Sequence, residues 1–418
     1  MPASSPVAAT LRAVTEKVDD LDELLLYADP LRPLVALRRG DGIVGIGETL
    51  RLRFSGEQRL REAASAWRDI AHGAHVADPV RRPGTGLVAF GSFAFADHSS
   101  AESVLIVPET IVGRHDGVHW VTRISAEGDG VARDDALDPA PIQFGERPRA
   151  ILAAGSLDRS HFMAVVGDAV AAIESGQVEK VVIARDAFAS LPAGADRRTL
   201  LHELAERYPD CLTFAVDGLI GASPETLVDV HDREGRARVL AGSTARGTTA
   251  VDDAAAASAL ASSTKDLDEH AFAVQSVLDA LRPHVRAVSA SEAPFTLKLP
   301  NLWHLATDVE LELGERSSGL DLVAALHPTA AVAGVPQDAA LALIAAVEPF
   351  DRGRYAAPVG WIDYDGDGEW VIALRCAQID PDGSLTAYAG AGIVADSNPE
   401  SELAETRLKF RPIADALR

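Results

Sequence analysis

Lys180 lies in the run "VEKVVIAR" (178–185), where the alternation of a strand puts it on one face with Val178, Val182 and Ala184, while Val181, Ile183 and Arg185 point the other way. An amine among apolar groups has two readings. It snorkels at a sheet edge, or it is desolvated, which lowers its pKa and makes it a base near neutral pH. Glu225, in "GASPETL", follows a Ser-Pro pair that fixes it at a strand end, and His304, in "LWHLATD", follows a tryptophan in a strand-like run. Each serves either structure or proton transfer. Arg375 falls inside the apolar run "WVIALRC", where a guanidinium needs a carboxylate partner from the protein or from a substrate.

Two glycine-containing loops are "AGSTARG", with Gly242, Ser243, Thr244 and Gly247, and "AGAGI", with Gly390, Ala391 and Gly392. Neither has the spacing of a dinucleotide fingerprint or a Walker loop, so they are tight turns or places where backbone N–H groups approach a small anion. In "ESELAETRLK", Glu402, Glu405 and Lys409 share one helical face. A solvated surface would hold a Glu405–Lys409 ion pair there, worth a few tenths of a kcal/mol. The chemical alternative is that Glu402 and Glu405 offer oxygens to a hard cation such as Mg2+, with Glu269 of "KDLDEH" adding a ligand from another helix. "DYDGDG" opens like a calcium loop, but Leu374 stands where the bidentate glutamate belongs, so it reads as a hairpin turn.

The elements that must position these groups follow from periodicity. Residues 162–173 place Phe162, Val165, Val166, Ala169, Val170 and Ile173 on one helical face that ends at Gly176, and the lysine-bearing strand follows at once. Further helices are predicted over 197–208, 251–262, 266–281, 320–326 and 338–347, with a closing helix from Pro399. "CLTFAVDGLIGASPETLVDV" reads as a strand after the 197–208 helix, "APVGWIDYDGDGEWVIALRCAQI" as a hairpin and "LTAYAGAGIV" as another strand. The first 150 residues are strand-rich, with hairpin signatures at Arg39-Gly40-Asp41-Gly42 and His115-Asp116-Gly117, and one helix ending near Gly73. Residues 129–148, rich in Pro, Gly and acids, read as a linker or long surface loop. Hairpins alternating with helices predict an α+β layered fold that is largely antiparallel.

The 418 residues are 47% hydrophobic and 24% charged, a globular composition. A formal charge of -23 argues against general attraction to nucleic acid or to an anionic membrane. An anionic substrate would need a local cluster of Arg and Lys or a bound cation. Two cysteines far apart in apolar runs, Cys211 and Cys376, suit reduced thiols and a cytoplasmic location. No secretory leader and no apolar run of about 18 residues is evident.

Taken in order, "EKVVIARD", "GASPETL", "LAGST", "KDLDEH", "LWHLAT", "LHPTAAVAGVP", "EPFDRGRYAAPVGW", "EWVIALRCAQ", "YAGAGIV" and "ESELAETRLK" resemble the chorismate-utilising enzymes over about Leu152 to Leu417. The resemblance implies one large α+β unit of two stacked, largely antiparallel sheets with outer helices, residues 1–150 being its strand-rich part and 151–418 its chorismate-binding catalytic region. It also implies the isochorismate synthase branch. There a lysine at the position of Lys180 activates water to attack C2 of chorismate, and a glutamate at that of Glu225 protonates the departing C4 hydroxyl. Mg2+ would be held by Glu269 and Glu405, with Glu402 acting through water. The substrate would be bound by Gly242, Ser243, Thr244, His304, Ala331, Arg375, Ala391, Gly392 and Lys409. No glutamine amidotransferase partner is implied, and a monomer is expected.

Sibling branches differ at particular residues. Anthranilate synthases lack the lysine and usually carry a Leu-Leu-Glu-Ser inhibitor motif, absent here; aminodeoxychorismate and salicylate synthases tend to have threonine at the position of Ala331. Ala330 replaces a proline common in relatives, which bears on whether pyruvate is eliminated to give salicylate. A non-catalytic binder of chorismate-like dianions would be expected to have lost Lys180 or Glu225. Isochorismate would feed either menaquinone or a siderophore.

Overall fold

The apolar stretch "SVLIVPETIVGRH" is continuous in sequence and divided in space. Pro108 separates Ser103–Val107, a strand of one sheet, from Thr110–His115, a strand of another. The structure, a computed structural model, describes residues 10–126, 139–298 and 302–418, leaving out the side chains of Ser243, Ala245, Lys265, Glu269 and Leu302. Its described strands form a first sheet of 13 and a second of 10. Every described pairing but that of Leu11–Val18 with His75–Ala77 is antiparallel. The layered α+β expectation holds, with the early strands interleaved among the later ones: Leu34–Arg38 pairs with Leu212–Val216, and Val88–Ser92 with Pro358–Asp363.

One core cluster takes Phe214 and Trp120 from the first sheet and Phe90 and Trp370 from the second. The outer face of the first sheet buries Val35, Ala215 and Ile220 against Leu200, Leu201 and Leu204 of the helix Arg198–Arg207 and Phe410 and Ile413 of the closing helix Pro399–Ala416. A third cluster packs Val181 and Ile183 against Phe162, Val166 and Ala169 of the helix Arg159–Glu174 and Ala340 and Ile344 of Gln337–Val347. Each fully buried Val, Leu, Ile or Phe among them contributes about 1.5–3 kcal/mol. The alternation in the lysine strand is therefore satisfied on both sides, since Ala184, on the lysine's face, joins the first core cluster.

Two-residue turns set the hairpin registers. Arg39 and Gly40 both have positive φ (54° and 81°), as do Asp116 and Gly117 (50° and 73°), which matches the twist of the flanking strands. The same chemistry at Asp217-Gly218, with a second break at Pro224-Glu225, divides "CLTFAVDGLIGASPETLVDV" into three strands where one was expected: Leu212–Val216, Leu219–Ser223 and Thr226–His231. "DYDGDG" is the expected hairpin turn, between Pro358–Asp363 and Gly368–Ile372.

Residues 129–138 of the expected linker lie outside the described residues. The part that follows is a packed strap. Arg198 donates to the carbonyls of Ile142 and Gln143 at 2.9 Å each, Asp196 accepts from Gly145 N–H at 2.8 Å, and Arg147 donates to the carbonyls of Asp415 and Ala416. Among the described residues no helix is long and apolar enough to cross a membrane.

Candidate active site

Lys180 opens the strand Lys180–Ser190, half-buried, with its stem against the neighbouring strand Ser384–Ile393. A Cβ on Gly392 would lie 3.3 Å from Lys180 Cε, so the missing side chain is the space the lysine occupies. Gly390, two residues earlier, is equally crowded: a Cβ there would meet Tyr355 Oη at 3.0 Å. Its carbonyl accepts from Lys409 Nζ at 2.7 Å, and Lys409 also pairs with Glu405 at 2.6 Å. The closing helix thus docks its polar face on the glycine strand, with Ala391 buried between.

Glu225 and Arg375 come from two places where the chain leaves one sheet for the other. Leu219–Ser223 belongs to the first sheet and Thr226–His231 to the second, with Pro224 and Glu225 between them. Gly368–Ile372 and Cys376–Ile379 are divided likewise by residues 373–375. Arg375 therefore does not sit inside a strand, as its apolar run suggests. It has φ 50°, at the bend that redirects the chain. The crossings are bonded together: Ser223 Oγ donates to the Ile372 carbonyl at 2.6 Å and accepts from Glu225 N–H, and Ile372 N–H donates to the Glu225 carbonyl at 3.0 Å. Ser223 and Tyr355 both shape the site without having been singled out in sequence; the Ser-Pro pair marks the first, and nothing local marks the second.

Burial pushes the Glu225 carboxyl above its ordinary pKa, and the nearby charges of Lys180, Lys409 and Arg375 act in the opposite direction. His304 lies on Leu302–Leu313 opposite Ser243 of Glu234–Ala245, where a bulge at Gly242 (φ 73°) shifts the register. Burial, then the charge of Lys180, lowers His304 to about 4, so the imidazole is neutral over the working range, and its buried Nδ1 has no hydrogen-bond partner. Thr244 pairs opposite Trp303 on the same ladder; the Ser243 side chain lies outside the described residues. Ala331 sits in the turn after Pro328, and the Ala333 carbonyl of that turn accepts from Val182 N–H at 2.9 Å.

One turn apart on the closing helix, Glu402 and Glu405 interact electrostatically. Burial, followed by the charge of Glu405, raises the Glu402 carboxyl, which accepts from Ser397 Oγ at 2.9 Å. The Glu269 side chain lies outside the described residues, and among those described no three metal-ligating side chains gather. A half-buried pair of like charges is nevertheless a donor set that a divalent cation would relieve.

The charges of the strand-borne Lys180, of Arg375 at one sheet crossing and of Lys409 on the closing helix all act on the Glu225 carboxyl at the other crossing. The family model described as chorismate binding enzyme matches residues 10–418, and the chain belongs to that family. The isochorismate synthase DhbC of Bacillus subtilis (strain 168) is 41% identical over 264 residues, which span 60% of this chain and 66% of that protein. The crystal structure of DhbC from Bacillus anthracis is 33% identical with a TM-score of 0.71, covering 95% of this chain and 99% of that one. Escherichia coli MenF, a menaquinone-specific isochorismate synthase, shares the fold at a TM-score of 0.74 and 23% identity over 99% of this chain and 97% of its own.

Proposed function

We propose that the protein is an isochorismate synthase, converting chorismate to isochorismate by adding water at C2 and losing the C4 hydroxyl. The observation that carries this reading is that the Lys180 amine, together with the Lys409 and Arg375 cations, acts on the raised, protonatable carboxyl of Glu225. Lys180 takes a proton from the attacking water, Glu225 gives one to the departing hydroxyl, and the ring double bonds shift between them. One water enters and one leaves, so the product is an isomer. Arg375 and Lys409 offset the charge of a dicarboxylate in a protein of net charge -23. Neutral His304 orients the reacting hydroxyl, and the backbone around Gly242, Thr244, Ala331, Ala391 and Gly392 shapes the remaining wall.

Glu402 and Glu405 are carboxylates that suit a Mg2+ ion, and Glu269 is the further ligand that the family resemblance implies. When bound, the ion neutralises charge on the substrate's ring carboxylate. Incubation with chorismate, with and without Mg2+, followed by chromatography with mass detection, tests the reading. A Mg2+-dependent product of chorismate's own mass supports it; salicylate with pyruvate, or unchanged chorismate, overturns it.

Two variants probe individual positions. Glu405→Ala is expected to lose activity together with its Mg2+ dependence, and an unchanged Mg2+ titration would remove Glu405 from the metal site. Gly392→Ala keeps an ordinary backbone conformation but sets a methyl 3.3 Å from Lys180 Cε. Displacing the amine by a fraction of an ångström should lower kcat by about tenfold with thermal stability nearly unchanged. Wild-type kinetics in that variant would show that the amine's position there is not critical.

A further inference from the structure

The lysine strand has a complete neighbour on only one side. Ser384–Ile393 pairs with it from Val181 to Ser190. On the other edge Lys180 and Val181 pair with Val335 and Gly334, and Ala187 and Phe188 with Ala154 and Ala153, leaving a gap between. Within the gap the N–H and C=O of Val182 and the N–H of Ala184 face the interior, where unpaired backbone groups are costly. Val182 N–H is taken by the Ala333 carbonyl. Glu348 Oε1 accepts from Ala184 N–H at 2.7 Å, and Arg352 Nη2 donates to the Val182 carbonyl at 2.7 Å. Glu348 and Arg352 also form a two-point ion pair at 2.6 and 2.8 Å, each side chain only 2% exposed. Arg352 Nη1 donates to the Val332 carbonyl at 2.8 Å, and the guanidinium lies over the Phe95 ring at 4.6 Å.

A pair of side chains thus stands in for the missing strand segment. It ties the backbone two residues from Lys180 to the turn that carries Ala331. We infer that Glu348 and Arg352 are positioning residues for the reaction, holding the Lys180 strand and the 329–333 turn at a fixed separation; the inference rests on the function proposed for that site. Both are buried, so they act through the strand and the turn. The planar fork of arginine is needed, because one group must reach a carboxylate and two carbonyls in different directions. A lysine keeps the charge and loses that geometry.

The test compares Arg352→Lys with Arg198→Lys. Arg198 is also buried, also forks onto a carboxylate, Asp196, and also reaches carbonyls, but those belong to Leu26 and to Ile142 and Gln143 of the 139–152 strap. Thermal midpoint, kcat, KM for chorismate and the pH profile of kcat are measured for wild type and both variants, well below their melting temperatures. Both variants should melt earlier, and only Arg352→Lys should lose kcat, by about 10- to 100-fold, with a smaller change in KM and a displaced pH profile. Glu348→Gln, which retains an amide oxygen for Ala184 N–H, should show the same pattern more weakly and serves if Arg352→Lys does not fold. Wild-type kcat with a superimposable pH profile in the folded variant would overturn the inference, as would an equal kcat loss in Arg198→Lys. A wild type that fails to turn over chorismate would instead overturn the reading of the site.

Discussion

Lys180→Ala should turn over chorismate about a thousandfold more slowly than wild type while still binding it, because general-base catalysis supplies factors of this size. No neighbouring group described can take its place. Lys409 already donates to the Gly390 carbonyl and pairs with Glu405, and burial, the largest cause that lowers His304 and makes it a weak base, persists in the variant. Binding should survive because Arg375 and Lys409, the cations proposed to offset the substrate's charges, are untouched. Steady-state kinetics together with equilibrium binding by calorimetry separate the two effects. Normal turnover would remove Lys180 from the mechanism, and loss of binding with normal kcat would make it a substrate contact.

The second large effect is expected at Glu225. Replacement by Gln keeps the shape of the side chain and removes the proton, so kcat should fall by about 10²- to 10³-fold. The pH dependence has a definite sign. Burial raises the carboxyl above its ordinary value of 4.5, so the protonated form needed by an acid persists to higher pH. Wild-type kcat should therefore decline as pH rises through that raised value, and in Glu225→Gln this decline should vanish. Stability follows the same direction. A folded-state pKa above the unfolded one contributes stability that is full below the unfolded pKa and lost as pH rises through the folded pKa. The neutral glutamine has no charge to bury, so the variant should melt at the same temperature as wild type in acid and higher in alkali. An alkaline decline that survives in Glu225→Gln would assign that titration to another group, and a variant less stable than wild type in alkali would mean that the carboxylate is compensated in its site.

Much of the framework was legible in the sequence because it rests on local chemistry. The helix Arg159–Glu174 shows its apolar face as a 3.6-residue period, Asp116-Gly117 announces its hairpin, and the Val181–Ile183 alternation shows that the lysine strand is covered on both faces. The crossings were less legible. "WVIALRC" and "SVLIVPETIV" look like continuous strands because both halves are apolar, and apolarity is the same whichever sheet a residue joins. Only the pairing partners distinguish them: Ile372 belongs with the second sheet and Cys376 with the first, so the intervening Arg375 is left at the bend.

Taken alone, the sequence determined the residue types available to the reaction and, through the ordered resemblance from Leu152 to Leu417, the family in which to look for their roles. Tertiary structure decided which of them meet. Lys180 and Glu225 are 45 positions apart, and Lys409 and Arg375 lie well beyond both, yet the three cations all act on the one carboxyl of Glu225. That convergence depends on which strands pair across hundreds of residues and on where the chain changes sheets. Burial sets the protonation states for the same reason: Glu225 is raised and His304 is lowered by the elements packed around them, whose placement no local pattern specifies.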